Sequence, residues 1–328
     1  MLKLALIGCG KMGSALATGI LSQQAESQVF GFDALPQACQ ALARSLPEHL
    51  QARFVPCDDA IHAVEQSQAC LLAVKPRQLH DAIPQDPRAQ ARLFISIAAG
   101  IPLHRLREMA PNARWLRAMP NTPALLGEGI SVLHVPKEHC PEDLAMARLI
   151  LGPVGELIEI EDESLMHVVT ALSGSGPAFA AVVVEALADG AVNEGLPRQL
   201  AYHLARATLR GSMALLEDQH PAQLKDAVAS PGGTTMAGLC AAEAAGLRFA
   251  LIDAIRQATA RSRELAKEGG GTGQAPNRQE VGGTGQAPNR QEVGELAERP
   301  IDKKSQPGGG DSLRSKPEGC VPGMARNK

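Results

Sequence analysis

Ser230-Pro231-Gly232-Gly233-Thr234-Thr235 sets two adjacent glycines between a proline and two hydroxyls. Glycine adopts positive φ at little steric cost, and successive N–H groups in such turns converge into a concave nest for a carboxylate or phosphate. The same residues also make plain turns between helices, so the anion reading depends on what chemistry the rest of the chain supplies.

A second glycine-rich segment supplies one. Gly8-Cys9-Gly10-Lys11-Met12-Gly13 follows an apolar run, Leu2 to Ile7, and precedes a helical pattern reaching about Leu21. Gly-x-Gly-x-x-Gly between a strand and a helix is a dinucleotide signature. The first glycine makes the turn, the second admits the pyrophosphate to the backbone, and the third lets helix pack on strand, with the helix N-terminus facing the phosphates. The pattern continues with a strand, Gln28 to Phe32, ending at Asp33, about twenty residues beyond Gly13, where a carboxylate accepts from ribose hydroxyls and repels a 2′-phosphate.

Those loops need a scaffold. Strands are expected at Ala69–Val74, Leu93–Ile97 and Ala113–Ala118, alternating with short helices, and at Ile130–Val135 and Val154–Ile160 around a helix at Pro141–Leu151. This is a Rossmann-like doubly wound α/β sheet, which places ligand loops at the strands' carboxyl ends. The candidates there are Ala73-Val74-Lys75-Pro76, the Ser96–Gly100 stretch with Ala98, and Asn121 between two prolines. From Met166 onward strand signals stop, and helices are expected at Pro177–Glu194, Arg198–Glu217, Pro221–Ala229, Thr235–Ala245 and Arg248–Lys267. The division expected is a dinucleotide-binding domain over 1–162, a helical substrate and dimerisation domain over 163–268, and a disordered Gly/Pro-rich tail over 269–328. Within the tail, GTGQAPNRQEVG at Gly271–Gly282 recurs unchanged at Gly283–Gly294. Ala178 to Val184 is apolar all round, which predicts burial on every side and hence at least a homodimer formed through the helices.

Composition excludes other classes. The net charge is −3, no Lys/Arg run occurs before residue 269, and aromatic residues are only 2% of the chain, so neither a nucleic-acid footprint nor a base-stacking platform is present. The cysteines are scattered, with no Cys-x-x-Cys, and the histidines stand singly. Neither a disulfide framework nor a metal site is expected, and a reduced cytoplasm is the default compartment. The opening MLKLALIG is too short for a signal peptide, and no apolar run is read as reaching the ~20 residues of a membrane span.

The chain resembles the pyrroline-5-carboxylate reductase family over about residues 1–268. The resemblance rests on IGCGKMG, AVKP (73–76), SIAAG (96–100), RAMPNTPALLGEG (117–129), SGSGPAF (173–179), HPAQLKDAVASPGGTT (220–235) and the closing RSRELAKE. It implies NAD(P)H-dependent reduction of the cyclic imine 1-pyrroline-5-carboxylate, a small-molecule substrate, to L-proline, the last step of proline biosynthesis. It also implies that the substrate carboxylate sits on amides of Gly232, Gly233, Thr234, Thr235 and Met236, near Ser175 and Gly176. Thr235 matches the hydroxyl that hydrogen-bonds the ring nitrogen, and Asp218 matches an acidic position near it. Two departures stand out. Asp33-Ala34-Leu35-Pro36 replaces the small polar or basic residues that usually accompany NADPH, which favours NADH on physical grounds, and Ala227 stands where some relatives carry a cofactor-touching asparagine. A β-hydroxyacid dehydrogenase would need a catalytic lysine early in the helical region, but none occurs between Lys137 and Lys225. A catalytically silent nucleotide sensor would show a broken Gly232 or Thr235, and both are intact.

Overall fold

A computed structural model describes residues 1–268 of the chain, and the tail expected over 269–328 lies outside the described residues. An eight-stranded sheet runs β3-β2-β1-β4-β5-β6-β7-β8. Its strands are β1 (Lys3–Ile7), β2 (Gln28–Phe32), β3 (Phe54–Pro56), β4 (Ala69–Leu72), β5 (Leu93–Ser96), β6 (Arg114–Met119), β7 (Gly129–His134) and β8 (Gly155–Ile160). The longer helices between them are α1 (Lys11–Gln23), α2 (Pro36–Ser45), α3 (Ala60–Glu65), α4 (Leu103–Met109) and α5 (Pro141–Leu151). The first six strands are parallel, and the order reverses between β1 and β4, where a doubly wound sheet opens its ligand crevice.

Alternate residues of β1 feed two cores on opposite faces of the sheet. Leu4 and Leu6 join Leu16, Ile20 and Leu21 of α1 and Ile150 of α5. Ala5 and Ile7 join Phe94, Leu106 and Trp115. Leu16, Ile20 and Leu21 are fully buried, and burying each stabilises the fold by about 1.5–3 kcal/mol. That anchors the helix whose N-terminus carries the glycine-rich loop.

Two features of the sheet differ from the sequence expectation. β3 was not expected: Phe54–Pro56 is too short to show periodicity and ends in proline, yet it pairs in register with β2. β7 runs antiparallel to β6, because the connection is only the short helical turn at Thr122–Leu126, which returns the chain instead of crossing over.

Beyond Ile160 the described chain is helical: α6 (Gly176–Asn193), α7 (Arg198–Leu215), α8 (Pro221–Val228), α9 (Thr234–Ala244) and α10 (Leu247–Glu268). A π-helical turn, Thr170–Gly174, leads into α6. The burial expected around α6 is not found within one chain. Ala188 is its only buried residue, Val182 is 62% exposed, and the one hydrophobic cluster of these helices rests on Ala188, Ala201 and Ala205. The continuous helical stretch Glu163–Asn193, whose most apolar 18 residues have mean hydropathy 1.5, is also long and apolar enough to cross a bilayer by length and composition, contrary to the sequence reading. Small residues such as Gly174, Ser175 and Gly176 interrupt its apolar runs without making it polar.

Candidate active site

The glycine-rich loop has the geometry a diphosphate needs. Gly8 adopts φ +102°, and a Cβ there would lie 2.8 Å from the Ala73 carbonyl and 2.9 Å from Val74 Cγ1. Only glycine fits, and the Ala73–Val74 loop after β4 forms the wall against it. At Gly13 a Cβ would fall 2.0 Å from the Gly8 oxygen, the close helix–strand approach that the third glycine allows. At Gly10 a Cβ would meet nothing within 4 Å. Gly10 caps α1 without a side-chain bond, the first turn holds no acidic residue, and the first intrahelical bond runs from Ser14 N–H to the Gly10 oxygen. The amides of Lys11, Met12 and Gly13 therefore precede the hydrogen-bonded ladder and face the open side, where anions bind. Lys11 is exposed beside them, while Met12 packs into the core. These residues fit the diphosphate of a nicotinamide dinucleotide.

Asp33 stands at the end of β2. Its Oδ2 accepts the Cys9 N–H (2.8 Å) and its Oδ1 accepts the Leu35 N–H (2.9 Å), so the carboxylate ties the glycine-rich loop to the start of α2. A cleft of about 330 Å³ opens there, lined by Asp33, Ala34, Cys39, Cys57 and Asp58 among others, with no Lys or Arg in its wall.

The remaining strand-end candidates have mixed roles. Lys75 is exposed at the head of the turn Pro76–Gln78. Ala98 is buried, with its N–H donating to Ser96 Oγ (3.3 Å). Asn121 accepts the Ile130 N–H through Oδ1 (2.9 Å), which fixes the turn into β7 and leaves its amide NH₂ for other partners. Met119 Cε lies 2.6 Å from where a Cβ on Gly174 would sit. A glycine at 174 thus lets the end of β6 meet the segment carrying Ser175 and Gly176. Ser175 Oγ donates to the Thr170 oxygen (3.3 Å), and Gly176 faces open space.

The Ser230–Thr235 loop is a turn closed by the Gly233 N–H on the Ser230 oxygen (3.0 Å), with Pro231 second and Gly232 third at φ +69°, the type II pattern. A Cβ on Gly233 would strike Ser230 Oγ at 2.4 Å. The Gly233 amide is spent inside the turn. The amides of Thr234, Thr235 and Met236 precede the first bond of α9, from Ala237 N–H to the Gly233 oxygen, and no side chain caps them. Thr235 is half-buried, while Gly232, Thr234 and Met236 are exposed. Asp218 is exposed on the link between α7 and α8. The main packing partner of α9 is α10, and within one chain the turn ahead of it is largely exposed.

A buried ion pair that sequence reasoning missed joins sheet to helices. Arg117 of β6, 2% exposed, donates from Nη1 to Glu163 Oε1 (2.9 Å), and the same oxygen accepts the Leu103 N–H (2.6 Å). Burial pulls the Arg117 guanidinium down, against the stabilising Glu163 carboxylate. Burial likewise lowers the imidazoles of His134 and His167, and His167 Nδ1 lies 3.0 Å from Ser262 Oγ on α10. Arginine in a strand gave no signal, because its partner is distant in sequence.

The sheet, the glycine-rich loop and the helical half define an oxidoreductase that uses a nicotinamide dinucleotide. Residues 3–100 match the family model "NADP oxidoreductase coenzyme F420-dependent", and residues 163–265 match "Pyrroline-5-carboxylate reductase dimerisation". Pyrroline-5-carboxylate reductases of Synechocystis and of Methanosarcina acetivorans are each 40% identical, with 81% of this chain aligned to 99% and 98% of theirs. The solved Plasmodium falciparum pyrroline carboxylate reductase with NADP bound superposes with TM-score 0.71 at 29% identity, covering 81% of this chain and 98% of that one. The chain belongs to the pyrroline-5-carboxylate reductase family, and its helical half is a dimerisation region.

Proposed function

We propose that the protein reduces 1-pyrroline-5-carboxylate to L-proline. The observation that carries this reading is the start of α9: three amides ahead of the helical ladder follow a rigid Pro-Gly-Gly turn, with the Thr235 hydroxyl on the same turn. Amides at a helix N-terminus attract a carboxylate. Thr234, Thr235 and Met236 hold the substrate carboxylate, Gly232 shapes the turn, and Gly233 serves it through its tight fit against Ser230. Thr235 Oγ1 donates to the ring nitrogen and polarises the imine, Ser175 and Gly176 lie near the carboxylate, and Asp218 adds an acidic group. An oriented, polarised imine carbon accepts hydride without a strong base. The dinucleotide, when bound, supplies that hydride. Gly8, Cys9, Gly10, Lys11, Met12, Gly13, Ala73, Val74, Lys75, Pro76, Ala98 and Asn121 form its seat.

NADH is the preferred donor. The cleft beyond Asp33 carries Asp33 and Asp58 and no cation in its wall, so a 2′-phosphate meets like charge without a partner. The active site is composite across a homodimer or larger homo-oligomer. The turn before α9 is exposed in one chain, and the apolar faces of α6, including Val182 and Leu187, lie open. Covering those faces with a second copy, and not with lipid or nucleic acid, also accounts for the membrane-like hydropathy of Glu163–Asn193. The domain boundary falls at 162/163, and the cytoplasm is the compartment.

Steady-state oxidation of NADH and of NADPH with 1-pyrroline-5-carboxylate tests the reading. Turnover with a kcat/KM at least tenfold higher for NADH is expected. Absence of turnover with either donor overturns the reductase, and a preference for NADPH overturns the role given to Asp33.

A further inference from the structure

Three cysteines that look scattered in sequence meet at the adenosine end of the dinucleotide cleft. Cys9, inside the glycine-rich loop, and Cys39, on the first turns of α2, bring their sulfurs to 3.0 Å, and both side chains are buried. Cys57, just beyond β3, joins Cys39 in the cleft wall. Cys57 Sγ donates to the Val55 carbonyl two residues before it (3.6 Å), and burial pushes its thiol up to about 11. Nothing in the hydride chemistry uses these thiols.

We propose that Cys9 and Cys39 are a reversible disulfide-forming pair, oxidised by a peroxide that enters through the empty cleft and shielded when the dinucleotide fills it. The inference rests on the assignment of this cleft to the cofactor's adenosine end. A disulfide requires the sulfurs to close from contact to about 2.05 Å, a move of roughly 1 Å, and the glycine-rich loop and α2 already hold them together. Cys39 faces the cleft and Cys9 lies behind it, which separates an attacking sulfur from a resolving one. Either sulfur can donate in their contact, so it is the place of Cys39 in the cleft wall that makes it the sulfur the peroxide meets first.

The step balances. The Cys39 thiolate attacks one peroxide oxygen, the O–O bond breaks, and the other oxygen leaves as hydroxide and takes a proton to become water. Cys9 sulfur then attacks the Cys39 sulfenic acid, giving up its proton as the second water leaves. Two thiols are oxidised and one hydrogen peroxide is reduced to two waters. A dithiol reverses it.

The bond has a consequence for the cofactor. Cys9 has little slack, since Gly8 before it is wedged against Ala73 and its own N–H is held by Asp33. Tying Cys39 to it draws α2 toward the loop and narrows the mouth of the cleft. Linkage then requires that the cofactor and the disulfide oppose each other.

The test uses the full chain, treated with hydrogen peroxide alone or with a saturating amount of NAD⁺ or NADP⁺, whichever the reduced protein binds. Peptides are mapped by non-reducing mass spectrometry, and nucleotide affinity is measured by calorimetry. The expected result is a Cys9–Cys39 linked peptide in the wild type and in Cys57→Ser, and none in Cys39→Ser. Linkage should form at least tenfold more slowly with nucleotide, and oxidation should weaken nucleotide binding at least tenfold until dithiothreitol restores it. Cys9 and Cys39 remaining alkylatable, Cys39 pairing with another cysteine, or equal rates with and without nucleotide in a protein that binds it overturns the proposal alone. A reduced protein that binds neither nucleotide overturns the assignment of the cleft, and the proposal with it.

Discussion

Thr235 is the second residue of α9, so its amide and its hydroxyl leave the same turn. Replacing it with alanine removes the hydroxyl but keeps the helix start, which has no side-chain cap to lose. Thr235→Ala is expected to lower kcat by about 10²-fold, the lower end for a positioned proton donor, with an unchanged urea midpoint, and Thr235→Ser to recover most of it. Wild-type kcat in the alanine variant would remove the hydroxyl from the reaction. Asp33 was also legible in the sequence, from its spacing after Gly13. What sequence did not show is that its two oxygens hold the Cys9 and Leu35 amides, because those bonds depend on how the loops close. Asn121 shows the converse: a polar residue picked out for ligand contact also has its oxygen committed to the Ile130 backbone.

Elements carry the next set of consequences. Glu163 begins the passage from sheet to helices and is the partner of the buried Arg117. Glu163→Ala leaves that guanidinium uncompensated and the Leu103 N–H without its acceptor, and is expected to cost about 3 kcal/mol. Urea denaturation measures it, and a loss below about 1 kcal/mol would show that water replaces the carboxylate. The same junction confers acid sensitivity. His134 and His167 are held below the ordinary imidazole value by burial, so the unfolded chain takes up protons before the folded one does. Their contribution is complete above about pH 6.5 and is lost as pH falls below it. The urea midpoint of the wild type should fall between pH 7.5 and 5.5, and His134→Gln should shrink that fall. An equal fall in the variant would shift the effect to other groups.

On the scale of the whole molecule, one chain is an incomplete object. Its sheet half has two dense cores, while its helical half buries only Met166, four alanines, Thr259 and Ser262. A site shared between copies predicts complementation. Gly8→Val, which forces a side chain into the Ala73 backbone, and Thr235→Ala should each be nearly inactive alone. Mixed after dissociation and reassociation, they should regain about a quarter of wild-type activity, as statistical pairing of random dimers gives one intact site in each hybrid. No recovery in verified hybrids would place loop and turn of one site in the same chain. Residues 269–328 lie beyond both family matches, and their composition offers little to pack. Removing them is expected to leave the melting temperature and kcat nearly unchanged, and a large loss of either would assign them a structural part.

The sequence by itself determined the order of the elements other than β3, both glycine-rich loops and the family, because these follow from local periodicity and from glycines whose spacing tolerates no side chain. The helices after Met166 emerged within a residue or two of their expected bounds for the same reason. Tertiary structure alone decided the direction of β7, the pairing of Arg117 with Glu163 and the meeting of Cys9 with Cys39. Those contacts join residues far apart in the chain, and no periodicity records which distant loops will close on one another.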